Sequence, residues 1–335
     1  MDEYLFDLTG YTVLPSCIPP GQVKEMNDWV DALELEKRNI GDWEGNVEIH
    51  SYYKKPPSQQ KNMDDKTEGV DDGWNLQHVY EGGQMWEELL DHPSWYGHVA
   101  KYLGKASPFV FELFVNVREA GGFIGVHSGG WKAGLDGTPR PGHIVPRAAE
   151  HGPLPKGCVG SKEPPEWSCT LVSIILALSD IGPGDGATVL VPGSHKSVFE
   201  HPGHTALGGG MVAEGSLVRG AKEMYLKAGD AVIFNDHLLH GAAARINAGQ
   251  RRMVCFRYLP QHNSTNRFGY QPSTELMGRL SPRRREILTD LNHPWGLNTP
   301  ARLRGGNSPR ASTRQPAEGE GLTPTWLEGQ QRSKL

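Results

Sequence analysis

Residues 229–259 constrain the fold more than any other part of this sequence. They contain two runs of β-forming residues, at 231–234 and 253–258, each preceded by a glycine-containing turn sequence. We interpret the segment as a β-hairpin, with a histidine at the end of the first strand and an arginine pair opening the second. Such a hairpin would bring His240 and Arg251 to the same end of a sheet.

These two side chains suit a binding site, although a second interpretation exists. A neutral imidazole can hold a transition metal, and a guanidinium can hold a carboxylate through two parallel hydrogen bonds. Taken alone, the segment is better interpreted as a polar sheet end, with His240 capping the backbone and the arginines in solvent. Two further motifs favour a site: GVHSGG around His127, where glycines allow close approach of the backbone to a ligand, and PGSHK around His195.

The order of these motifs resembles the phytanoyl-CoA dioxygenase family of Fe(II)/2-oxoglutarate oxygenases over about residues 6–260. GVHSGG, LALSDIGPGDG, PGSHK and GD…HG…N…RR carry the resemblance. It implies a mainly β fold with flanking helices, built as a double-stranded β-helix (a cupin-like jelly roll). It also implies Fe(II), 2-oxoglutarate and O2, and hydroxylation of a small organic or lipid-like substrate with decarboxylation of 2-oxoglutarate to succinate.

The resemblance also assigns roles to individual residues. His127 and His240 match the two histidine ligands of the metal, and Arg251 matches the arginine that binds the far carboxylate of 2-oxoglutarate. Asn116 is a candidate to contact the same carboxylate, or else to form a cross-strand hydrogen bond. Arg252 is the alternative to Arg251. Because successive strand residues point to opposite faces, we expect only one of the two arginines to serve.

The sequence departs from the family pattern at the metal site, where His-x-Asp is replaced by His127-Ser128-Gly129. Three explanations stay open. Chloride takes the place of the carboxylate, as in related Fe(II)/2-oxoglutarate halogenases. A remote carboxylate, with Asp136 and Glu166 as candidates, or a water completes the site and hydroxylation proceeds. Alternatively, the iron site is lost and the chain is a non-catalytic jelly-roll binding protein. We expect hydroxylation, because a glycine removes a ligand without creating a chloride pocket.

Composition narrows the class of protein and of partner. Among 335 residues, 42 are glycine and 25 are proline, which fits a loop-rich β architecture rather than a helical bundle. The net charge of −5 shows no basic excess, so we expect a small-molecule substrate and no nucleic acid. No apolar run is long enough to cross a bilayer, so no membrane span is expected. Four dispersed cysteines without a CxxC motif indicate buried thiols in a reducing compartment.

The chain is predicted to form one jelly-roll domain over residues 1–298. A Gly- and Pro-rich insertion at 131–167 is interpreted as a lid over the site. Residues 299–335 have the composition of a disordered tail. The sequence ends in Ser333-Lys334-Leu335, a tripeptide that the peroxisomal import receptor reads. We therefore expect a peroxisomal location if the source is eukaryotic and a cytoplasmic location otherwise.

Overall fold

The computed structural model describes most of the predicted domain. The described residues are 2–50, 73–104, 106–121, 123–127, 167, 169, 171–197, 201, 218–263 and 270–290. Gly129, Asp136, Glu166, the predicted lid except Trp167, the predicted tail and Ser333, Lys334 and Leu335 lie outside them. By its internal contacts the chain divides into Met1–Arg302, which contains every described residue, and Leu303–Leu335. The predicted boundary at residue 298, the lid and the tail stay predictions.

An antiparallel sheet of eight strands forms the main layer of the described structure. In hydrogen-bonding order its strands are β1 (Tyr11–Leu14), β10 (Ala231–Asn235), β7 (Val172–Ala177), β12 (Arg251–Pro260), β5 (Pro108–Arg118), β4 (Trp74–Gln77), β3 (Val47–His50) and β2 (Trp43–Glu44). The central strands β7 and β12 are almost wholly buried and rich in β-branched and aromatic residues, as expected for strands that are covered on both faces.

A smaller antiparallel sheet of four strands completes the jelly roll. Its strands, in order, are β6 (Ile124–His127), β11 (His240–Ala242), β8 (Thr188–Leu190) and β9 (Lys222–Met224). Leu190 and Met224 of this sheet share one buried cluster with Ile175, Val232 and Met253 of the large sheet. The prediction of a mainly β, double-stranded β-helix fold is therefore confirmed.

Helices cover the other face of the large sheet. They are α1 (Asp2–Thr9), α2 (Pro20–Ala32), α3 (Gln84–Glu87), α4 (Tyr96–Tyr102), α5 (Thr274–Arg279) and α6 (Pro282–Leu288). Met26 of α2 and Trp86 of α3 are fully buried and belong to the same cluster as Val115, Ile174 and Phe256 of the sheet. Because side chains alternate along a strand, the neighbours of these sheet residues point towards the small sheet instead.

The prediction that residues 229–259 form a hairpin is wrong. β7 lies between β10 and β12, and His240 belongs to the small sheet. A tight turn changes the sheet: the Leu238 N–H donates to the Asn235 carbonyl oxygen at 2.8 Å, and the His237 N–H donates to Asn235 Oδ1 at 3.0 Å. Two successive β-forming runs look alike whether they pair directly or cross between sheets, so the pattern alone could not separate the two.

Two other local sequence patterns differ from the structure. The β-forming residues within 4–15 predict a strand, but Asp2–Thr9 is helical and only Tyr11–Leu14 is a strand. Asp185-Gly186 predicts a hairpin turn, but among the described residues β7 pairs in the large sheet whereas β8 pairs in the small one. In both cases the chain changes direction at a glycine with positive φ, Gly10 or Gly186.

The described residues also bear on the membrane and cysteine expectations. None of their helices has the length and apolar character needed to cross a bilayer. Cys17, Cys169 and Cys255 are buried free thiols, whereas Cys158 lies outside the described residues. Burial raises the pKa of Cys169 and of Cys255 to about 12, so both stay protonated at neutral pH.

Gly229, which opens the turn into β10, should be irreplaceable for stability. Its φ is +93°, and an added Cβ would lie 2.5 Å from the Ile18 carbonyl oxygen. We expect Gly229→Ala to lower the free energy of unfolding by about 1–3 kcal/mol. Gly21 in α2 has open space around it, so Gly21→Ala should be neutral or stabilising by up to about 1 kcal/mol. Denaturant unfolding compares the two, and equal effects would contradict the structure.

Candidate metal centre

His127 and His240 meet across the small sheet. His127 ends β6, His240 begins β11, and the two are direct partners in the antiparallel register. Their ring centroids lie 4.3 Å apart. The register shifts between His240 and Ala242. Gly241 lies at this shift and allows the two strands to approach closely, because a Cβ at position 241 would lie only 2.6 Å from the Ile124 carbonyl oxygen. Pairing of the two strands thus brings together two imidazoles that are distant in the sequence.

Backbone carbonyl groups orient both rings. Nδ1 of His127 lies 2.9 Å from the Gly125 oxygen, and Nδ1 of His240 lies 2.7 Å from the Leu238 oxygen. Since a carbonyl oxygen only accepts, each Nδ1 carries the proton and each Nε2 keeps its lone pair, as in metal-binding histidines. Nε2 of His240 is buried without a hydrogen-bond partner. This pair therefore fits a transition-metal ion.

Burial keeps both histidines in the form that binds metals. Burial and then the neighbouring His240 lower the pKa of His127 to about 3. Burial also lowers the pKa of His240, against the opposing effect of Asp236. Both imidazoles are therefore neutral at pH 7, and neither has to lose a proton before a metal binds.

The two histidines line a cavity of about 370 Å³, a volume within the range of small-molecule sites. Side chains of both sheets form its walls, and more than half of them are apolar. The lining residues are Asn75, Phe114, Asn116, Ile124, His127, Ser173, Ile175, Thr188, Phe234, His240, Gly241, Ala242, Met253, Cys255, Phe256 and Arg257. Such a lining, with a few polar groups near the histidines, is typical of a site for a small organic ligand.

Arg251 lies at the start of β12, on the same strand face as the cavity-lining Met253 and Cys255. It is fully buried. Its guanidinium donates hydrogen bonds to the Gly186 carbonyl oxygen and to Asn116 Oδ1. The structure thus fixes this arginine rigidly at the inner end of the jelly roll.

Asn116 connects Arg251 to the cavity. It lines the cavity, accepts a hydrogen bond from Arg251, and donates through Nδ2 to Asn75 Oδ1 at 2.9 Å. The cross-strand hydrogen bond considered from the sequence is therefore present between β5 and β4. A contact between Asn116 and 2-oxoglutarate stays a prediction.

Arg252 points to the opposite face of the sheet. Its Nη2 donates to Asp31 Oδ1 at 2.6 Å, and its Nη1 donates to Asn27 Oδ1 at 3.2 Å, both on α2. Only Arg251 of the arginine pair therefore faces the inside of the jelly roll.

His195 of the PGSHK motif is buried, and its Nε2 lies 3.0 Å from the Asp7 carbonyl oxygen, which agrees with a structural role.

A partly buried carboxylate that the sequence reasoning missed, Asp236, lies beside His240. Asp236 Oδ1 is 3.7 Å from His240 Nε2 and 4.0 Å from Arg257 Nε, and it accepts a hydrogen bond from Ser173 Oγ at 2.6 Å. The only sequence signal was the spacing of four residues between Asp236 and His240, just after a strand. In the described part of the chain, no three His, Cys, Asp or Glu side chains are already arranged to hold a metal.

The environment of Asp236 keeps it ionised. Burial raises the pKa of this carboxyl group. The neighbouring His240 and Arg257 and the hydrogen bond from Ser173 outweigh burial, and the pKa falls to about 2. A negative charge is therefore held next to the metal-facing side of His240.

Comparison with known proteins supports this fold. The family model described as "Phytanoyl-CoA dioxygenase (PhyH)" matches residues 159–253, a stretch that includes PGSHK, His240 and Arg251. No curated protein matches.

The solved structures of HygX from Streptomyces hygroscopicus are similar in fold. The form with nickel and 2-oxoglutarate bound has 19% identity and a TM-score of 0.55, covering 77% of this chain and 86% of that chain. The form that also holds hygromycin B has 16% identity and a TM-score of 0.53, with the same coverage. The form with iron bound has 18% identity and a TM-score of 0.52, covering 77% and 85%.

The histidine pair should dominate metal affinity. We expect His127→Ala and His240→Ala each to weaken Ni(II) binding by more than about 100-fold, because loss of a ligand should exceed the about 10–100-fold cost of losing a supporting partner. His98→Ala, on α4, serves as the control and should bind Ni(II) normally. Isothermal calorimetry measures the three affinities. Normal binding by either site variant would rule out the assigned ligands.

Proposed function

We infer that this chain is a member of the phytanoyl-CoA dioxygenase family and a non-haem iron enzyme that uses 2-oxoglutarate as cosubstrate. We propose that it hydroxylates a small organic or lipid-like substrate while 2-oxoglutarate is decarboxylated to succinate. The observation that carries the proposal is the His127–His240 pair, held in its metal-binding tautomer and opening into a largely apolar cavity.

The histidines and the buried arginine have separate tasks in this proposal. His127 and His240 hold the iron through Nε2, and the carbonyl oxygens of Gly125 and Leu238 keep both rings oriented. Iron and 2-oxoglutarate together supply the oxidising chemistry when bound. Arg251 would bind the far carboxylate of 2-oxoglutarate.

Asn116 links this role of Arg251 to the cavity. The buried guanidinium donates to Gly186 O and to Asn116 Oδ1, and Asn116 lines the cavity. A carboxylate that enters past Asn116 would be a stronger hydrogen-bond acceptor for the guanidinium than the Asn116 amide is.

The cavity walls indicate what kind of substrate group reaches the iron. Phe114, Ile175, Phe234 and Met253 surround the space in front of the histidines. These walls exclude water and favour a hydrocarbon part of the substrate over a charged one. The volume of about 370 Å³ also has to contain 2-oxoglutarate, so the reacting part of the substrate must be small or slender. The HygX structure that holds hygromycin B supports a small-molecule substrate for this chain as well.

Gly129 supports a second candidate function. A glycine at the family's carboxylate position leaves a coordination position that chloride occupies in related halogenases, so the chain could transfer chloride to the substrate instead of oxygen. The two reactions share the histidines, 2-oxoglutarate and the cavity. They differ only in the group that reaches the substrate carbon.

Turnover separates these possibilities. The protein, purified without air, is loaded with Fe(II) and 2-oxoglutarate, exposed to O2 with candidate substrates, and assayed with and without chloride. We expect succinate and a product heavier by one oxygen, independent of chloride, and no activity from His240→Ala. A product in which chlorine replaces hydrogen would favour the halogenase. Absence of iron binding would contradict both and favour a non-catalytic binding protein.

The arginine pair offers a matched test of cosubstrate binding. We expect Arg251→Lys to weaken 2-oxoglutarate binding by about 10–100-fold, because lysine cannot form the two parallel hydrogen bonds of a guanidinium. Arg252→Lys makes the same chemical change on the outer face and should leave the Kd within about twofold. Calorimetry with Ni(II)-loaded protein measures both, and equal Kd values for the two variants would refute the role of Arg251.

A further inference from the structure

We propose that Asp236 is the third protein ligand of the metal, in place of the carboxylate that position 129 does not supply. The inference rests on the proposed function and specifies the coordination of the same site. Gly129 has no donor atom in its side chain, whereas iron in this class of oxygenase is held by two histidines and one carboxylate. The chain would thus retain a carboxylate ligand but take it from the turn before β11.

The distances allow one ion to be shared. Two donors bound to one ion at about 2.1 Å lie about 3 Å apart when adjacent, and at most about 4.2 Å apart when opposite. Asp236 Oδ1 and His240 Nε2 are 3.7 Å apart, so a movement of less than about 1 Å brings them to the adjacent arrangement. Among the described residues no three His, Cys, Asp or Glu side chains form a group that could hold a metal as they stand, so the assignment requires this movement of Asp236 when the ion binds.

The side of the ring that Asp236 approaches distinguishes a ligand from a supporting residue. A carboxylate that merely supports a metal-bound histidine accepts a hydrogen bond from the nitrogen that does not bind the metal. In His240 that nitrogen is Nδ1, and the Leu238 carbonyl oxygen already accepts its hydrogen bond. Asp236 instead lies next to Nε2, the atom that faces the metal.

The turn that carries Asp236 is held in place by hydrogen bonds. The Asp236 N–H donates to the Leu171 carbonyl oxygen at 3.1 Å, and Asn235 caps the following residues. Ser173 Oγ donates to Oδ1, which is also the oxygen near His240 Nε2. Because an ionised carboxylate oxygen has more than one lone pair, Oδ1 can keep this hydrogen bond and still coordinate a metal.

Asp236 also belongs to a cluster of charged side chains. Asp236 and Glu112 share the guanidinium of Arg257: Nε lies 4.0 Å from Asp236 Oδ1, and Nη1 lies 3.4 Å from Glu112 Oε2. Because Oδ1 lies farther from Arg257 than a hydrogen bond allows, Arg257 does not prevent Asp236 from turning towards a metal ion beside the histidines. An anionic ligand already in the site also disfavours chloride, so the inference favours hydroxylation.

Metal binding in the absence of 2-oxoglutarate and O2 tests the assignment without using activity. Ni(II) affinity is measured by calorimetry for the native protein, Asp236→Ala, Glu112→Gln and the double variant Asp236→Ala/Gly129→Asp. We expect Asp236→Ala to lose more than about 100-fold in affinity, beyond the about 10–100-fold cost of losing a supporting partner. Glu112→Gln removes one carboxylate charge from the same cluster and should lose less than about tenfold.

The double variant separates ligation from a structural role. If the site needs a carboxylate ligand, Gly129→Asp should restore Ni(II) affinity to within about tenfold of the native protein, whereas a merely structural defect would persist. Melting curves by circular dichroism show that each variant folds, and Asp236→Asn replaces Asp236→Ala if the latter does not. A loss below about 100-fold for Asp236→Ala, an equal loss for Glu112→Gln, or no restoration by Gly129→Asp overturns the assignment. If the native protein binds no Ni(II), the proposed function fails as well.

Discussion

The antiparallel pairing of β6 with β11 is the interaction on which the rest of the site depends. It places His127 directly opposite His240, and it turns two imidazoles from distant parts of the chain into one bidentate unit. Gly241 allows the strands to approach, because any side chain there would collide with the backbone of β6. The carbonyl oxygens of Gly125 and Leu238 then fix the tautomer of each ring. Strand pairing therefore decides both the position and the chemistry of the metal-facing nitrogens.

The large sheet supplies the charged side chains of the site, whereas the two histidines of the small sheet are neutral. Alternate residues of β12 point inwards, so that Arg251 and Arg257 face the same interior from opposite ends of the strand. Arg251 is bonded to Asn116 on β5, whereas Arg257 lies beside Asp236. One strand thus carries two inward-facing positive charges, six residues apart. One charge suits the far carboxylate of a cosubstrate, and the other holds a carboxylate of the protein near the histidines.

The sequence predicted which residues form the site better than it predicted which strands pair to bring those residues together. His127, His240 and Arg251 stand in motifs whose order is distinctive, and the mainly β jelly roll follows from the same motifs. The hairpin prediction failed because β10 and β12 are separated by β7, and hydrophobic patterns do not encode which strands become neighbours. Asp236 was missed for a related reason. Its closeness to His240 arises from the turn at Asn235, and a single acidic residue in a turn is normally solvated.

The position of Asp236 has a consequence for how the two sheets hold together. His127 and His240 belong to the small sheet, whereas Asp236 follows directly from β10 of the large sheet and is bonded to Ser173 of β7. An ion bound by all three would therefore join the two sheets. Ligands that bind only the folded state stabilise it, so this ion would strengthen the contact between the sheets as well as the site. In a site completed by His-x-Asp, all protein ligands except the second histidine would come from one short segment, and this link to the large sheet would be absent.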